Sequence, residues 1–309
     1  MKPLDFLIIG AQKCATTALF EHLRGHPDIA MPLEKEVPFF TGEDCSEQAW
    51  SNFASEQFGC ANQQQLWGKA TPQYMSDPLV PARMKQLMPD VKLVAILRDP
   101  IERTWSHFQM GKRRDTEARE FADAIEPLLH DGKADERRTM PVPDHAEGYE
   151  SEADFYVGWS EYGRSLTDYA EHFDPENILV LYTEDLESQP EETLDKLLEF
   201  IGLPQGYRPS TLGKVIHKGG SGNRIPPGVR TWLRDQTALF WLWQQVPDQQ
   251  RGRLRFKYEQ WNVRKKANAL ALPEGLYQDL TGHYESDLRA LMNLHVPSPP
   301  WLGRYVTGE

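Results

Sequence analysis

The sequence predicts an α/β fold in which helices flank a central parallel sheet, and three features indicate it. Short, almost continuously apolar runs recur between residues 4 and 182, as in strands that are buried on both faces. Segments with helical spacing of apolar residues lie between these runs. Glycine or proline stands at many of the junctions, where the chain must turn. Strands that alternate with helices in this way form parallel sheets covered on both faces.

The first predicted strand covers residues 4–9, ends at Gly10 and leads through a tight loop into a helix over 16–26. Proline is favoured as a first helical residue, so a helix is expected to begin near Pro100. The other predicted strands cover residues 66–71, 91–97 and 178–182, and the other predicted helices cover 46–57, 79–88, 155–173, 191–201 and 276–294.

We expect one domain over residues 1–309, because α/β folds often exceed the roughly 100–200 residues of an ordinary domain. Its core would span about 1–205, followed by a helical elaboration over about 206–309. Residues 205–228 are rich in glycine and proline and predict a long loop, which in a compact domain is functional or disordered. Residues 131–153 are polar and predict an exposed loop.

The net charge of −12 argues against general nucleic-acid binding, which needs a basic surface to release counterions. Basic residues do cluster between 251 and 266, where a solvated charged face is the simpler interpretation. Three cysteines without C-x-x-C spacing give neither a disulfide framework nor a zinc signature. We therefore expect a reduced, cytoplasmic protein that needs no metal and has neither signal peptide nor transmembrane span.

A candidate anion site lies between the first strand and its helix. The N–H groups and dipole of a helix start favour anions, and Lys13 adds a positive charge within the loop. In the alternative interpretation Thr16 only caps the helix and Lys13 is solvated. The second glycine of a triphosphatase loop is absent and Lys13 comes too early for one. The loop consists of Gly10, Ala11, Gln12, Lys13, Cys14, Ala15, Thr16 and Thr17.

Five ordered motifs together resemble the sulfotransferases that use 3′-phosphoadenosine 5′-phosphosulfate (PAPS), closest to their heparan-sulfate-type and bacterial branch. The loop has the pattern G-x-x-K-x-x-T-T, and the segment after the 91–97 strand has the pattern L-R-D-P-x-E-R-x-x-S. The motifs are Gly10–Thr17, Glu36–Phe40, Gly68–Tyr74, Leu97–Ser106 and Tyr182–Leu186. The resemblance implies a P-loop-like three-layer fold, PAPS as sulfuryl donor and a hydroxyl or amine as acceptor.

The resemblance also assigns the residues that would hold the donor. Lys13 would contact the leaving phosphate and the sulfuryl oxygens, the two threonines of the loop the 5′-phosphate, and Arg98 with Ser106 the 3′-phosphate. Arg98 follows a strand at its carboxyl end, where open α/β sheets bind ligands. The alternative is a surface ion pair of Arg98 with Asp99 or Glu102. The implied donor-binding residues are Gly10, Gln12, Lys13, Cys14, Ala15, Thr16, Thr17, Arg98, Ser106, Lys218 and Gly219.

Glu36 is the first candidate for the general base that takes the acceptor proton. Its apolar neighbours are expected to desolvate the carboxyl and raise its pKa, whereas an ordinary exposed glutamate is the alternative. His217, in the glycine-rich loop, is the second candidate for a catalytic base. His107 is a third, although a lone histidine beside Ser106 is more often a packed one.

Two positions depart from the family pattern. Ala15 stands where the family usually has glycine, so the loop must accommodate a Cβ. Some glycan sulfotransferases carry a catalytic lysine directly before the Thr-Pro pair, where this chain has Ala70. Lys69 lies one residue earlier, and such a shift turns a strand side chain to the other face. A role for Lys69 is therefore doubtful.

The acceptor is not defined by the sequence. Residues 230–261 are rich in aromatic side chains, which form either core or a face for a partner helix, or else an apolar acceptor cleft. The acidic charge favours a small molecule, a lipid-like chain or a sugar over a sulfated polymer. Two rival functions are a nucleotide-binding protein without transfer activity and an ATP-dependent kinase on a related fold.

Overall fold

The computed structural model describes most of the chain. The described segments are residues 2–32, 35–59, 61–114, 116–130, 154–213, 222–225, 263–264 and 272–306, with the single positions 152, 229, 246, 254, 258 and 261.

A five-stranded parallel sheet in the order β2-β3-β1-β4-β5 forms the centre and confirms the predicted fold class. β1 lies in the middle because its side chains are apolar and buried on both faces. Its Ile8 pairs with Ala70 on one side and Val94 on the other. The strands are β1 (Phe6–Gly10), β2 (Ile29–Ala30), β3 (Leu66–Ala70), β4 (Lys92–Leu97) and β5 (Ile178–Tyr182).

Helices cover the sheet, and the predicted ones occur near their expected positions with one exception. β2 and the helices α5 and α7 were not predicted. A short antiparallel pair, β6 (Gly222–Asn223) with β7 (Val263–Arg264), is also present. The helices are α1 (Thr16–Arg24), α2 (Glu47–Phe58), α3 (Val80–Leu87), α4 (Pro100–Arg114), α5 (Phe121–His130), α6 (Tyr162–Ala170), α7 (Thr183–Ser188), α8 (Pro190–Phe200) and α9 (Glu274–Asn293).

The exception is the single helix predicted over 155–173, which was wrong. The segment contains a 3₁₀ turn over Gly158–Ser160, and α6 begins only at Tyr162. The cause lies in α9, whose Asp287 carboxylate accepts hydrogen bonds from the N–H groups of Gly163 (2.9 Å) and Arg164 (2.8 Å). This distant carboxylate satisfies two N–H groups in the first turn of α6.

The α6–α9 contact requires a glycine. A Cβ at Gly163 would lie 1.9 Å from the Asp287 carbonyl oxygen and 2.7 Å from the Leu291 nitrogen, both backbone atoms of α9. The two helix backbones thus approach closely, and α9 is held against α6. No helix in the described segments is long and apolar enough to cross a membrane.

We predict that Gly163→Ala destabilises the protein by about 2 kcal/mol or more, because backbone of α9 must move away. The matched control is Gly282→Ala, also a helical glycine but with no heavy atom within 4 Å of the added Cβ. That substitution should stabilise by about 0.5–1 kcal/mol through helix propensity. Urea denaturation of both variants measures the difference, and equal effects would contradict the close-contact explanation.

Candidate functional site

The loop over residues 10–17 leaves β1 at the carboxyl edge of the sheet. The Ala11 N–H donates to the Ile96 carbonyl of β4 at 2.8 Å, which fixes the loop to the neighbouring strand. Lys13 and Ala15 have left-handed backbones, with φ of 74° and 60°. Ala15 therefore accommodates its Cβ at a cost of about 1–2 kcal/mol relative to a right-handed residue. The loop therefore keeps a left-handed backbone at the position where the family usually has glycine, although Ala15 carries a Cβ.

The start of α1 is available for an anion. Its N-cap is Ala15, and no side chain forms a cap hydrogen bond there. The alternative that Thr16 caps the helix is therefore wrong, because Thr16 lies within its first turn. Thr16 is buried and Thr17 is half-buried. The first N–H groups of α1, without a side-chain cap, can serve a phosphate.

Lys13 is partly buried and lies among positive charges. The pKa of its ammonium group is lowered to about 7, first by burial and then by the charges of Arg113 and Arg114, while Glu36 opposes the shift. Arg98 also lowers it. A simply solvated Lys13 is thus excluded. An incoming anion would restore its charge, since an opposite charge nearby favours the protonated form.

Arg98 leaves β4 at the same edge of the sheet, half-buried. Its Nη2 lies 2.7 Å from Glu102 Oε2, so the ion pair of the alternative interpretation is present. Burial opposes the charge of Arg98, but the Glu102 carboxylate outweighs it and raises the pKa. Ser106 lies half-buried on α4, two helical turns beyond Pro100.

The Asp99 side chain does not pair with Arg98 but holds the turn between β4 and α4 in place. Its Oδ1 accepts from the N–H groups of Ile101 (3.0 Å) and Glu102 (3.1 Å) and so begins α4. The chain end also binds it, through Arg304 Nη1 at 2.9 Å and the Tyr305 hydroxyl at 2.8 Å. The position of Arg98 therefore depends on residues more than two hundred positions away.

Glu36 lies over the end of β3, where its N–H donates to the Ala70 carbonyl at 3.1 Å. Its carboxylate binds the Lys35 ammonium group, and Gln73 Nε2 donates to it at 3.4 Å. Burial alone would raise the pKa of Glu36, but these partners outweigh burial and the pKa lies below its ordinary value. The predicted raised pKa was therefore wrong, because the sequence did not show where Lys35 and Gln73 would point. Glu36 is an ionised carboxylate with a left-handed backbone, φ 71°.

His107 is buried against the rings of Tyr156 and Trp159. Burial lowers its pKa to about 4, and its Nδ1 lies 3.0 Å from Arg103 Nη2. The packed histidine is thus the correct interpretation, and His107 is not placed to take a proton from an acceptor. Its Nε2 lies 3.5 Å from Glu152 Oε2.

Lys69 is also buried, with 1% of the residue exposed. Its Nζ donates to the Thr71 hydroxyl and lies 5.8 Å and 5.2 Å from the ring centroids of Phe53 and Tyr74. The pKa of Lys69 is lowered to about 7, mainly by burial, although the Glu36 carboxylate acts in the opposite direction. The side chain is therefore electrostatically coupled to Glu36, although it is sealed from solvent.

Sequence reasoning missed the cations at the end of α4. Arg113 and Arg114 both act on Lys13, and Arg114 also acts on Glu36. The signal was present as the Lys-Arg-Arg run at 112–114, in the last turn of α4, the helix that begins two residues after Arg98. Glu152 was missed as well, although its carboxylate accepts from Gln12 Nε2 at 3.3 Å.

Several predicted residues lie outside the described segments. They include His217, Lys218 and Gly219 and most of the aromatic segment 230–261. Of that segment, Tyr258 and Trp261 are 41% and 54% exposed, and the Arg224 guanidinium lies 5.7 Å from the Trp261 ring centroid. Among the described residues, no group of three or more His, Cys, Asp or Glu side chains could hold a metal ion.

Comparisons with known proteins agree with this geometry. The chain is 32% identical over 129 residues to "Membrane-associated sulfotransferase kil1" of Dictyostelium discoideum, covering 41% of this chain and 27% of that protein. It is 28% identical over 204 residues to human "Heparan sulfate glucosamine 3-O-sulfotransferase 3B1", covering 64% and 45%. The chain thus spans less than half the length of either relative.

The fold has a counterpart among solved structures. A sulfotransferase from Alicyclobacillus acidocaldarius matches with a TM-score of 0.63 at 20% identity, covering 96% of this chain and 98% of that chain. The family model described as "Sulfotransferase domain" matches residues 3–218, which include the loop at 10–17, Glu36 and Arg98. The chain therefore belongs to the sulfotransferase domain family.

Proposed function

We propose that this chain is an enzyme that transfers a sulfuryl group from PAPS to a hydroxyl or amine of an acceptor. The observation that carries the proposal is that Arg113, Arg114 and Arg98 lie close enough to Lys13, in the loop before the uncapped start of α1, to lower its pKa, while Glu36 raises it. Such a cluster in a chain of net charge −12 is a local site for an anion.

The residues present fit a nucleotide with several phosphates. The loop and α1 offer N–H groups and the hydroxyls of Thr16 and Thr17 to the 5′-phosphate side. Arg98, which now pairs with Glu102, offers a planar fork that suits the 3′-phosphate, with Ser106 on the following helix. Gln12 Oε1 is buried without a hydrogen-bond partner among the described residues, which marks the loop as incompletely satisfied.

PAPS supplies the sulfuryl group when it is bound. Lys13 would stabilise the charge that develops on the departing phosphate oxygen. Glu36 would accept the proton of the attacking hydroxyl or amine, and its low pKa keeps it in the required ionised form. His217 remains an alternative base, since it lies outside the described residues.

The acceptor class is proposed more broadly. A saccharide is supported by the human relative named for heparan sulfate glucosamine, and a small molecule or lipid-like chain remains compatible with the exposed Trp261. The rival of a nucleotide-binding protein without transfer activity is disfavoured because Glu36, the candidate base, lies close enough to Lys13 to raise its pKa. An ATP-dependent kinase is disfavoured by the absence of the triphosphatase loop pattern.

We also propose that residues 1–309 act as one domain in a reducing, cytoplasmic setting. The support is that Cys14 and Cys45 are free thiols and that Cys14 lies buried within the loop, 3.6 Å from the Tyr162 hydroxyl. Oxidation of Cys14 would disrupt this contact. Cell fractionation with thiol labelling tests the compartment.

Thermal shift with nucleotides tests the proposed function. 3′-Phosphoadenosine 5′-phosphate (PAP) should stabilise the protein by about 2.7 kcal/mol at a concentration of 100 Kd, because it binds only the folded state. ADP and ATP, which lack the 3′-phosphate, should shift the melting temperature much less. Equal shifts with all three nucleotides would remove the basis for the proposal.

For the base we predict that Glu36→Gln lowers kcat by about 100-fold or more, since the acceptor proton loses its receptor. The dissociation constant for PAP should stay within a few fold. The matched control is Glu43→Gln, an exposed glutamate of the same segment, which should leave kcat unchanged. Turnover is measured with radiolabelled donor and an acceptor found by screening. Near-normal turnover in Glu36→Gln would transfer the role to His217.

The pKa of Lys13 predicts how donor affinity depends on pH. Free Lys13 loses its proton near pH 7, whereas a bound anion holds that proton, so binding above this pH takes up a proton. The affinity for PAP should therefore fall by up to about tenfold per unit between pH 7.5 and 9. Calorimetry over this range measures the slope. Lys13→Arg should flatten it, because arginine keeps its charge. An unchanged slope in Lys13→Arg would contradict the assignment.

A further inference from the structure

Arg103, in the first turns of α4, is the largest fully buried side chain among the described residues, with 0% of its surface exposed. Its Nη2 donates to the Tyr156 carbonyl at 2.8 Å and lies 3.0 Å from His107 Nδ1. Its Nε and Nη1 have no hydrogen-bond partner among the described residues. Two donors of a buried guanidinium group are therefore unsatisfied, which is rare in folded proteins.

No carboxylate of the described segments lies within ion-pair distance of Arg103. Arg103 is connected to the Glu152 carboxylate only through His107, whose Nε2 lies 3.5 Å from Glu152 Oε2. Its titratable neighbours are neutral at pH 7, since burial lowers the pKa of His107 to about 4 and raises the pKa of Cys14 to about 11. A buried cation without an anion is costly, and a position near the start of a helix adds the unfavourable end of the dipole.

The field of this cation acts on the phosphate loop. Arg103 lowers the pKa of Cys14, which is the strongest effect on that thiol after burial itself. Cys14 lies in the middle of the loop and is fully buried, with its thiol directed inward to the Tyr162 hydroxyl at 3.6 Å. Arg103 is thus on the inner side of the loop, opposite the surface that the donor would meet.

We propose that Arg103 is a positioning residue for the donor: its buried charge acts through the loop on the 5′-phosphate, which supplies the missing counter-charge. This inference rests on the proposed function, because it needs an anionic ligand at the loop. It assigns to Arg103 a contribution separate from that of Lys13, which would touch the ligand. It also explains why a costly cation is retained here without an acidic partner.

The test isolates the 5′-phosphate. PAP and adenosine 3′-phosphate differ only in that group. The dissociation constant of adenosine 3′-phosphate divided by that of PAP therefore measures what the loop contributes to binding. Removal of a buried unit charge that acts on the 5′-phosphate, at an effective dielectric constant of about 20, should change this ratio by about tenfold or more. We therefore expect Arg103→Met to lower the ratio by about tenfold or more, and Arg103→Lys, whose buried ammonium group is only partly protonated at pH 7, to restore part of it.

The matched control is Arg24→Met, which removes a partly exposed arginine from the last turn of α1. Solvent screens that charge, so the ratio should stay at its wild-type value. A purely structural role of Arg103 would weaken both ligands equally and leave the ratio unchanged, which would overturn the inference. Arg103→Gln, which keeps donors for the Tyr156 carbonyl, is measured alongside in case Arg103→Met does not fold.

The outcomes separate the two proposals. A wild-type protein that binds PAP no better than adenosine 3′-phosphate would remove the donor site itself. A wild-type protein that prefers PAP, with the same preference in Arg103→Met or Arg103→Gln, would overturn only the role of Arg103. Failure of both neutral variants to fold, even in excess PAP, would assign Arg103 to the core and likewise overturn it.

Discussion

The site depends on keeping positive charge in places that are shielded from water. Burial penalises a cation, and it lowers the pKa of both Lys13 and Lys69 to about 7. Arginine resists this penalty better than lysine, and Arg98 keeps its charge with the help of Glu102. The site thus contains two kinds of positive charge. That of Arg98 is permanent, whereas that of Lys13 is restored when an anion binds. The rest of the fold supports this arrangement.

The sheet gives these charges their common location. β1 and β4 are neighbours, so the loop after Gly10 and the turn at Arg98 emerge at the same carboxyl edge. The chain end then fixes the turn, because Arg304 and Tyr305 bind the Asp99 side chain that begins α4. Arg304 and Tyr305 therefore help to fix the turn that carries Arg98, although they lie beyond the segment that matches the family model.

The sequence predicted correctly those features of the structure that depend on local residue patterns. The strands and most helices follow from apolar spacing, and the loop at 10–17 from its place between a strand and a helix. What could not be predicted depends on distant partners. The break before α6 requires Asp287, and the lowered pKa of Glu36 requires the directions of Lys35 and Gln73. The cations at 113 and 114 matter only because α4 carries them toward Lys13.

Backbone conformation shows how firmly the site is built before a ligand arrives. Lys13, Ala15 and Glu36 are three of the four described non-glycine residues with positive φ, and all three lie in the site. Each costs about 1–2 kcal/mol and persists only where its surroundings hold it in place. Here the sheet does so, through the bond of Ala11 to Ile96 and that of Glu36 to Ala70. Because these are main-chain bonds, the relative position of loop and candidate base is set by the strands. Side-chain changes in the loop should therefore alter the strength of anion binding before they alter its geometry.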